Sequence, residues 1–160
     1  ELQALRRLVR SSVIVETLAA QLARATGDNA AALQIYRDAL KNYPGYRALV
    51  YDYADTLLRN RQPEEALKLV ESRLQYTSSD HRLYQLQAQC YAALNKSLQQ
   101  HRALAESYYR LGNIPAAIEQ LTLAQKSGDG DFYQQSSVDA RLRELRAIDG
   151  DMRRQKGDKR

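Results

Sequence analysis

The chain has 160 residues, of which 44% are apolar and 27% are charged, and its formal net charge is +5 at pH 7. This length suffices for a domain with its own core, and the balance of apolar and charged residues excludes a wholly disordered chain. No stretch reaches the roughly 18–20 uncharged apolar residues of a membrane span, so we expect none. The single cysteine, Cys90, excludes an internal disulfide, and a buried thiol would suit either redox compartment.

Most of the positive charge lies at the C-terminus. Residues 141–160 hold eight Lys/Arg and four Asp/Glu, which accounts for +4 of the net charge. The rest of the chain is nearly neutral, which disfavours nucleic acid as the partner. We expect a folded domain over residues 1–148 and a basic, disordered tail over residues 149–160. Docking of this tail to an acidic partner or surface is the alternative.

Hydrophobic periodicity and turn signals predict helices and no strands. Clusters of Gly, Pro, Asn, Asp and Ser separate the apolar segments, and Asn113 before Ile114-Pro115 predicts an N-cap with proline in the first turn. The predicted helices cover residues 1–10, 12–26, 29–42, 46–60, 63–76, 80–94, 97–111, 114–127 and 132–148.

Alanines recur along these helices with a fixed period. Ala20, Ala54 and Ala88 are evenly spaced, and Ala32 and Ala66 are separated by the same interval. This interval, thirty-four positions, is the period of the tetratricopeptide repeat (TPR), a helix-turn-helix unit. Small residues at these positions let two antiparallel helices cross closely. The pattern therefore predicts an all-α TPR solenoid of about four repeats, wound into a right-handed superhelix.

The phase of the repeat is ambiguous after residue 95. Ala105 follows Ala88 by only half a period, and from there Tyr108, Gly112 and Ala117 fit another unit. Either a half-repeat is inserted, or the helix near 97–111 closes one pair and resembles the opening of the next. The last predicted helix has a polar outer face, as the cap of a repeat array requires, and this face carries Arg141, Arg143, Glu144 and Arg146.

Signatures of catalysis and of metal binding are missing from the sequence. His81, Cys90 and His101 are candidates for soft metal ligation, but no two of them have the i, i+4 spacing of ligands on one helical face. The glycines form no phosphate loop, and Gly128-Asp129-Gly130 lacks the twelve-residue calcium pattern, which predicts a simple connector. We therefore expect no catalytic residue, metal or cofactor in this chain.

Eleven tyrosines raise the possibility of base stacking, and hence of RNA binding. Tyr36, Tyr53, Tyr91 and Tyr108 occupy helix-packing positions of the repeat, which predicts a core role for these four. A binder of single-stranded nucleic acid also needs a basic groove, and the predicted groove is not basic. A freestanding scaffold or an RNA-binding repeat protein is nevertheless the alternative to protein recognition inside a larger protein.

In the tetratricopeptide repeat, the first helix of each pair lines a concave surface. The resemblance to this repeat assigns to that surface Arg24, Tyr51, Asp55, Arg59, Arg82, Gln85, Gln89, Arg102, Glu106, Tyr109 and Arg110. Tyr51-Asp55-Arg59 and Arg102-Glu106-Arg110 form stripes with i, i+4 spacing. These stripes are either ordinary surface ion pairs or contacts to a protein partner, since Arg and Tyr are enriched at interface hot spots.

More specific motifs lie in the C-terminal half. They are Ala103-Leu104-Ala105-Glu106-Ser107-Tyr108-Tyr109, Gly112-Asn113, Ala117-Ile118-Glu119-Gln120-Leu121, Asp131-Phe132-Tyr133 and Ala140-Arg141-Leu142-Arg143-Glu144-Leu145. Together with Pro44-Gly45-Tyr46-Arg47-Ala48-Leu49-Val50-Tyr51, they resemble the C-terminal repeat domain of the periplasmic β-barrel assembly-enhancing zinc metalloproteases.

This resemblance implies a periplasmic location and a role in the assembly and quality control of outer-membrane β-barrel proteins. The zinc-binding His-Glu-x-x-His motif of such proteases does not occur in this sequence. The chain would then be a non-catalytic repeat domain, and zinc would belong to an absent protease domain. The implied partners are β-barrel clients, the barrel-assembly machinery and the protein's own protease domain, without nucleic acid or a membrane span.

Overall fold

The computed structural model describes residues 12–157, and these residues form helices and turns without a strand. The helices are α1 (Val13–Ala25), α2 (Asn29–Asn42), α3 (Arg47–Arg59), α4 (Pro63–Leu74), α5 (His81–Ala93), α6 (Ser97–Arg110), α7 (Ile114–Lys126) and α8 (Phe132–Gly157). The predicted helices from 12–26 to 114–127 are confirmed, with ends within two residues. The predicted helix over residues 1–10 lies outside the described residues.

Four of the helices begin at a side-chain cap from the preceding residue, and in α8 Asp131 accepts a hydrogen bond from the Gln134 N–H at 2.8 Å. Asp28 accepts a hydrogen bond from the Ala31 N–H at 3.0 Å, and Asp80 accepts one from the Arg82 N–H at 3.1 Å. Asn113 accepts one from the Ala116 N–H at 3.2 Å, as its position before Ile114-Pro115 predicts. Each cap satisfies one of the N–H groups that the first turn of a helix leaves without a partner.

The turns that follow α1, α3, α5 and α6 share one geometry. In each turn an N–H donates to the carbonyl five residues earlier at 2.9 Å: Asp28 to Ala23, Gln62 to Leu57, Lys96 to Tyr91 and Asn113 to Tyr108. The residue before each donor has a left-handed φ, namely +84° at Gly27, +57° at Arg61 and Asn95, and +75° at Gly112. This is the Schellman ending of a helix.

The shared turn explains the ambiguous phase. The same turn both enters and leaves α6, and α6 packs against both α5 and α7. The helix therefore packs on both of its neighbours, as α2 also does, and either alternative for the repeat phase is compatible with this packing. Ala88, Ala105 and Ala117 are each at most 2% exposed, as close crossing of the paired helices requires.

The chain divides into two compact units, which we call the N-terminal unit (residues 1–69) and the C-terminal unit (residues 70–160). In the N-terminal unit, α2 packs against α1 and α3, and the alanines at positions 20, 32 and 54 are fully buried. The Tyr36 and Tyr53 rings stack with centroids 6.0 Å apart. Both tyrosines are buried, which confirms their predicted core role.

A second core lies in the C-terminal unit among α6, α7 and α8. Its buried members are Leu98, Ala105, Ile114, Ala117, Leu121, Ala124, Val138, Leu142 and Leu145. Tyr108 is half-buried and packs against this cluster, in agreement with its predicted packing role. Tyr91 is also half-buried, but it lines a cleft described below rather than a core.

The glycine-rich segment before α8 is a connector with a capping function. Asp129 accepts hydrogen bonds from the Ser97 and Leu98 N–H groups at the start of α6. A Cβ added to Gly130 would lie 2.2 Å from Leu98 Cδ1, so any larger residue would force the buried Leu98 side chain to move. The carboxylate that resembles a calcium ligand in sequence therefore caps a helix.

The C-terminal helix is longer than the sequence predicts. It continues from residue 148 to Gly157, so the prediction of a disordered tail is wrong for residues 149–157. A glycine inside a helix costs only about 1 kcal/mol, so Gly150 does not end α8. Ion pairs along the helix oppose that cost, since Arg153 contacts Asp149 at 2.8 Å and Arg154 contacts Asp151 at 2.8 Å.

Candidate protein-binding site

In the N-terminal unit, the predicted groove residues on α1 and α3 are linked by ion pairs. Asp55 accepts a hydrogen bond from Arg24 Nη1 at 3.0 Å and one from Arg59 Nε at 2.7 Å. One turn away, Gln21 donates to Asp52 at 3.1 Å. These contacts join the two helices, but each ion pair is partly exposed and contributes at most about 1 kcal/mol.

The predicted stripe Tyr51-Asp55-Arg59 therefore includes a carboxylate that two guanidinium groups already neutralise. Tyr51 is half-buried beside it. A partner that used Asp55 would have to displace at least one of these ion pairs. The structure favours the simpler of the two interpretations for this stripe, namely surface ion pairing between neighbouring helices.

In the C-terminal unit, the predicted residues of α5 share one exposed face. Arg82, Gln85 and Gln89 have i, i+3, i+7 spacing and are all exposed. A different face of α5, formed by Tyr84, Gln87 and Tyr91, points into a cleft. The sequence therefore assigned to the groove a face of α5 that lies next to this cleft, and not the face that lines it.

The cleft has a volume of about 420 Å³ and lies among the end of α4, α5 and α6. It is lined by Glu71, Leu74, Tyr84, Gln87, Tyr91, Gln99, Arg102, Ala103 and Glu106. Arg102 and Glu106 were predicted groove residues, and the structure brings both to this cleft. The volume is within the usual range of ligand-binding pockets.

One wall of the cleft carries a tyrosine–carboxylate hydrogen bond. The Tyr91 hydroxyl donates to Glu71 Oε1 at 2.9 Å. Burial, followed by this hydrogen bond and the charge of Glu71, raises the pKa of Tyr91 to about 12, against a smaller opposing effect of Arg102. Tyr91 therefore remains protonated at neutral pH and keeps its hydrogen bond to Glu71.

The other wall is organised by Arg141 of α8. Its guanidinium donates to both carboxylate oxygens of Glu106, at 2.7 and 2.9 Å, and lies 4.4 Å from the Tyr109 ring centroid. Arg110 lies over the Tyr109 ring at 5.3 Å and over the Tyr84 ring at 5.9 Å. Partial burial opposes the charge on Arg141, but its hydrogen bonds with Glu106 and Glu144 raise its pKa above the ordinary value.

The stripe Arg102-Glu106-Arg110 is therefore part of a larger assembly of Tyr and Arg side chains. Within the stripe, Glu106 and Arg110 are 3.9 Å apart, so the pairing with Arg141 is the closer one. Stacked aromatic and guanidinium groups provide preorganised contacts for a polypeptide. The cleft adds the amides of Gln87 and Gln99, which can hydrogen-bond a peptide backbone.

Sequence reasoning missed Tyr84, Gln87 and Arg141. The first two share i, i+3, i+7 spacing with Tyr91, a signal that was overlooked because Tyr91 was assigned to the core. Arg141 was assigned to a polar outer face of the last helix. Its contact with Glu106 spans 35 residues and depends on how α8 packs, which no local pattern indicates.

The soft metal ligands named from the sequence do not gather into a site. Cys90 is fully buried, which confirms the expected buried thiol, and burial followed by the charge of Glu71 raises its pKa to about 12. His101 Nδ1 is hydrogen-bonded to Gln120 Oε1 at 2.9 Å. Within residues 12–157, no three His, Cys, Asp or Glu side chains are placed to hold a metal ion.

A helix that spans a membrane must be both long and apolar. Among residues 12–157, no helix combines the necessary length with the necessary apolar character. The longest helix, α8, has charged residues along its length.

Comparison with curated proteins identifies similar sequences. Over 100 residues, 62% of this chain, it is 33% identical to the "Beta-barrel assembly-enhancing protease" of Escherichia coli strain K12, and it matches the Shigella flexneri protein of the same name equally well. The matched region is 20% of each relative, so the chain spans about a fifth of their length.

Two comparisons concern the repeat itself. Residues 23–90 match the family model described as tetratricopeptide repeat. Among solved structures, a MamA RS-1 ArsTM double mutant is similar with a TM-score of 0.62 at 17% identity, over 92% of this chain and 83% of that one. Another MamA crystal structure has a TM-score of 0.52 at 13% identity, over 83% of this chain and 85% of that one. The chain therefore contains tetratricopeptide repeats and has the all-α fold of that repeat.

Proposed function

We propose that this chain is a non-catalytic protein-recognition domain and that a partner polypeptide binds in the cleft among α4, α5 and α6. The observation that carries the proposal is the lining of this cleft, where tyrosine rings, amides and one exposed guanidinium surround about 420 Å³. The two carboxylates of the lining already have partners, because Glu71 accepts from Tyr91 and Glu106 accepts from Arg141. Tyr and Arg are the residues most often found at interface hot spots. The amides and the guanidinium suit a segment with exposed backbone carbonyls and at least one carboxylate.

We further propose that the domain works in the periplasm, in the assembly and quality control of outer-membrane β-barrel proteins. The 33% identity with the β-barrel assembly-enhancing protease supports this setting. On this proposal the partners are β-barrel clients, the assembly machinery and a protease domain that itself holds zinc. The repeat domain contributes recognition through the cleft among α4, α5 and α6.

Photocrosslinking in cells tests both the site and the partner. A photoreactive amino acid is placed at Gln87 in the cleft, at Gln85 on the exposed face of α5, and at exposed Glu119 on α7. We expect adducts mainly from Gln87, with β-barrel proteins or their assembly machinery identified by mass spectrometry. Adducts mainly from Gln85 would move recognition to the originally predicted face. Equal yields at Glu119 would contradict a specific site in this unit.

Charge reversal provides a matched functional test. Arg102→Glu removes the exposed guanidinium of the cleft, whereas Arg143→Glu makes the same change at an exposed position of α8. We expect the first variant to lose partner adducts and the second to retain them, with both keeping their helical circular dichroism. Loss in both variants would point to net charge rather than to the cleft. RNA recovered in place of protein would support the alternative function.

A further inference from the structure

The two carboxylates that line the cleft have different partners. Glu106 accepts hydrogen bonds from Arg141 through both of its oxygens, and it lies 3.9 Å from Arg110, so two guanidinium groups compensate its charge. Glu71 accepts its hydrogen bond from the Tyr91 hydroxyl, which carries no charge. Within residues 12–157, no cationic side chain forms an ion pair with Glu71. The cleft therefore contains one negative charge that its surroundings do not compensate.

The exposed guanidinium of Arg102 is a second uncompensated charge. Arg102 lines the same cleft and precedes Glu106 by one helical turn. Residues with this spacing often pair, but Arg141 of α8 already occupies both oxygens of Glu106. In the part of the chain that the structure describes, Arg102 forms no ion pair with any other carboxylate. The packing of α8 thus leaves this guanidinium available to an occupant of the cleft.

Glu71 and Arg102 do not neutralise each other. They belong to different helices, α4 and α6, and no ion pair joins them across the cleft. Opposite charges that lie apart at a solvent-exposed surface attract each other only weakly. An occupant with a cation beside Glu71 and an anion beside Arg102 would form two close ion pairs in a partly enclosed site. Such pairs are stronger than pairs on an open surface.

The surface around these two charges suits the stems of long side chains. Leu74, Ala103 and the rings of Tyr84 and Tyr91 contribute apolar area to the cleft. Lysine and arginine bury their methylene groups along such a surface while the charged end reaches a polar partner. The hydrogen bond from Tyr91 also fixes the position of the Glu71 carboxylate, so less ordering is required when a cation binds.

We propose that the cleft selects a polypeptide segment with a basic and an acidic residue side by side, the basic one bound by Glu71 and the acidic one by Arg102. This inference rests on the proposed function, because it requires a polypeptide in the cleft. Neighbouring side chains of an extended segment point to opposite sides, so two adjacent residues reach two different helices. Exchange of the two charges would bring like charges together, which the cleft disfavours.

Selection of peptides from a random library on the full chain tests the charge preference. Glu71→Gln removes the negative charge but keeps an acceptor for the Tyr91 hydroxyl, and Arg102→Gln removes the cation. As controls, Glu119→Gln and Arg143→Gln make the same changes at exposed positions outside the cleft. We expect the wild type and both controls to select adjacent basic and acidic residues. Glu71→Gln should lose only the basic preference, and Arg102→Gln only the acidic one.

The affinity of one selected peptide, measured by calorimetry, assigns each charge to its partner. Replacement of the basic residue of the peptide by glutamine should weaken binding to the wild type about fivefold, and should not weaken binding to Glu71→Gln further. The acidic residue and Arg102→Gln should behave in the same way. Equal weakening in the wild type and in the matching variant would overturn the proposed contacts.

Gln87→Trp separates this inference from the proposed function. Gln87 lines the cleft, and a tryptophan there should fill it and abolish binding of the selected peptide, with the helical circular dichroism retained. Peptides that still bind Gln87→Trp, or a wild type that selects none, would overturn the proposed function. Peptides that Gln87→Trp excludes, but in which neither charge is enriched, would overturn only the charge pairing.

Discussion

In the N-terminal unit, charged side chains at the predicted groove positions pair with one another, whereas in the C-terminal unit they surround a cleft. Asp55 holds Arg24 and Arg59 between two helices. In the C-terminal unit, Glu106 is held from the side by Arg141 of α8, and exposed Arg102 remains at the edge of the cleft. Predicted groove positions thus carry ion pairs between α1 and α3 in one unit and line a cleft in the other.

The reason for the difference lies in the residues that neighbouring helices contribute. At the position that Thr56 fills in α3, α5 has Cys90, and beside it Tyr91 extends to Glu71 at the cleft wall. The α3 position equivalent to Tyr91 is Leu57, which is fully buried and has no polar side-chain atom. A tyrosine in place of this leucine therefore supplies one wall of the cleft.

The largest expected effect concerns the reactivity of the Cys90 thiol. Burial, followed by the charge of Glu71, raises the pKa of Cys90 from 9.0 to about 12. Because reactivity follows the thiolate population, we expect Cys90 at pH 8 to react with a disulfide reagent about 1000-fold more slowly than an exposed cysteine. The control is Gln89→Cys in a Cys90→Ser background, and the measurement is the absorbance of the released thiol.

The same shift predicts how stability depends on pH. The unfolded thiol ionises near pH 9, whereas the folded one ionises near pH 12. The stabilisation from keeping this thiol neutral is therefore complete below about pH 9 and is lost as the pH rises towards 12. If Cys90 reacted as fast as the exposed control, its side chain would not be shielded from solvent in α5.

A smaller effect is expected for the coupling free energies of two ion pairs, Arg141 with Glu106 and Arg24 with Asp55. Arg141 and Glu106 are 21% and 20% exposed and share two short hydrogen bonds, whereas Arg24 and Asp55 are 33% and 36% exposed. A double-mutant cycle with Arg141→Met and Glu106→Gln should give a coupling free energy of about 1–3 kcal/mol in urea unfolding.

The matched cycle in the N-terminal unit uses Arg24→Met and Asp55→Asn. We expect a coupling free energy of only about 0.2–1 kcal/mol there, decreasing further at high salt because the pair is screened by solvent. Equal coupling free energies in the two cycles would contradict the expected difference between the exposed ion pair of the N-terminal unit and the more buried pair beside the cleft.

The smallest effect concerns the shared turn. Arg61 in the N-terminal unit and Asn95 in the C-terminal unit both have φ of +57°, where Gly27 and Gly112 occupy the equivalent positions. A left-handed residue with a long side chain costs roughly 1–2 kcal/mol, partly offset by the flexibility that glycine adds to the unfolded chain. We expect Arg61→Gly to raise the free energy of unfolding by about 0.5 kcal/mol, a change that thermal unfolding measures.

Asn95→Gly is the comparison, because asparagine tolerates the left-handed region better than arginine. We expect it to change stability less than Arg61→Gly. A larger gain from Asn95→Gly would mean that side-chain contacts, rather than backbone strain, set the stability of these turns.

Much of the fold could be predicted because its signals are local. The period between Ala20, Ala54 and Ala88 indicated the repeat, and caps such as Asn113 marked the helix starts. Capping, turn chemistry and helical period depend on residues a few positions apart, so a single sequence displays them. The end of α8 was missed because Gly150 resembles a stop signal, whereas the ion pairs of Asp149 and Asp151 favour continuation.

The candidate site was predicted only in part, because a cleft depends on which helix faces are left uncovered. Arg102 and Glu106 were identified from their repeat positions, but Tyr84 and Gln87 were not. The sequence by itself determined the all-α repeat, the boundaries of the helices from α1 to α7 and the small-residue crossings, since these depend on local period and side-chain size. Only the tertiary structure decided that Arg141 holds Glu106 and that a cleft opens beside Tyr91, since these depend on contacts between residues distant in the chain.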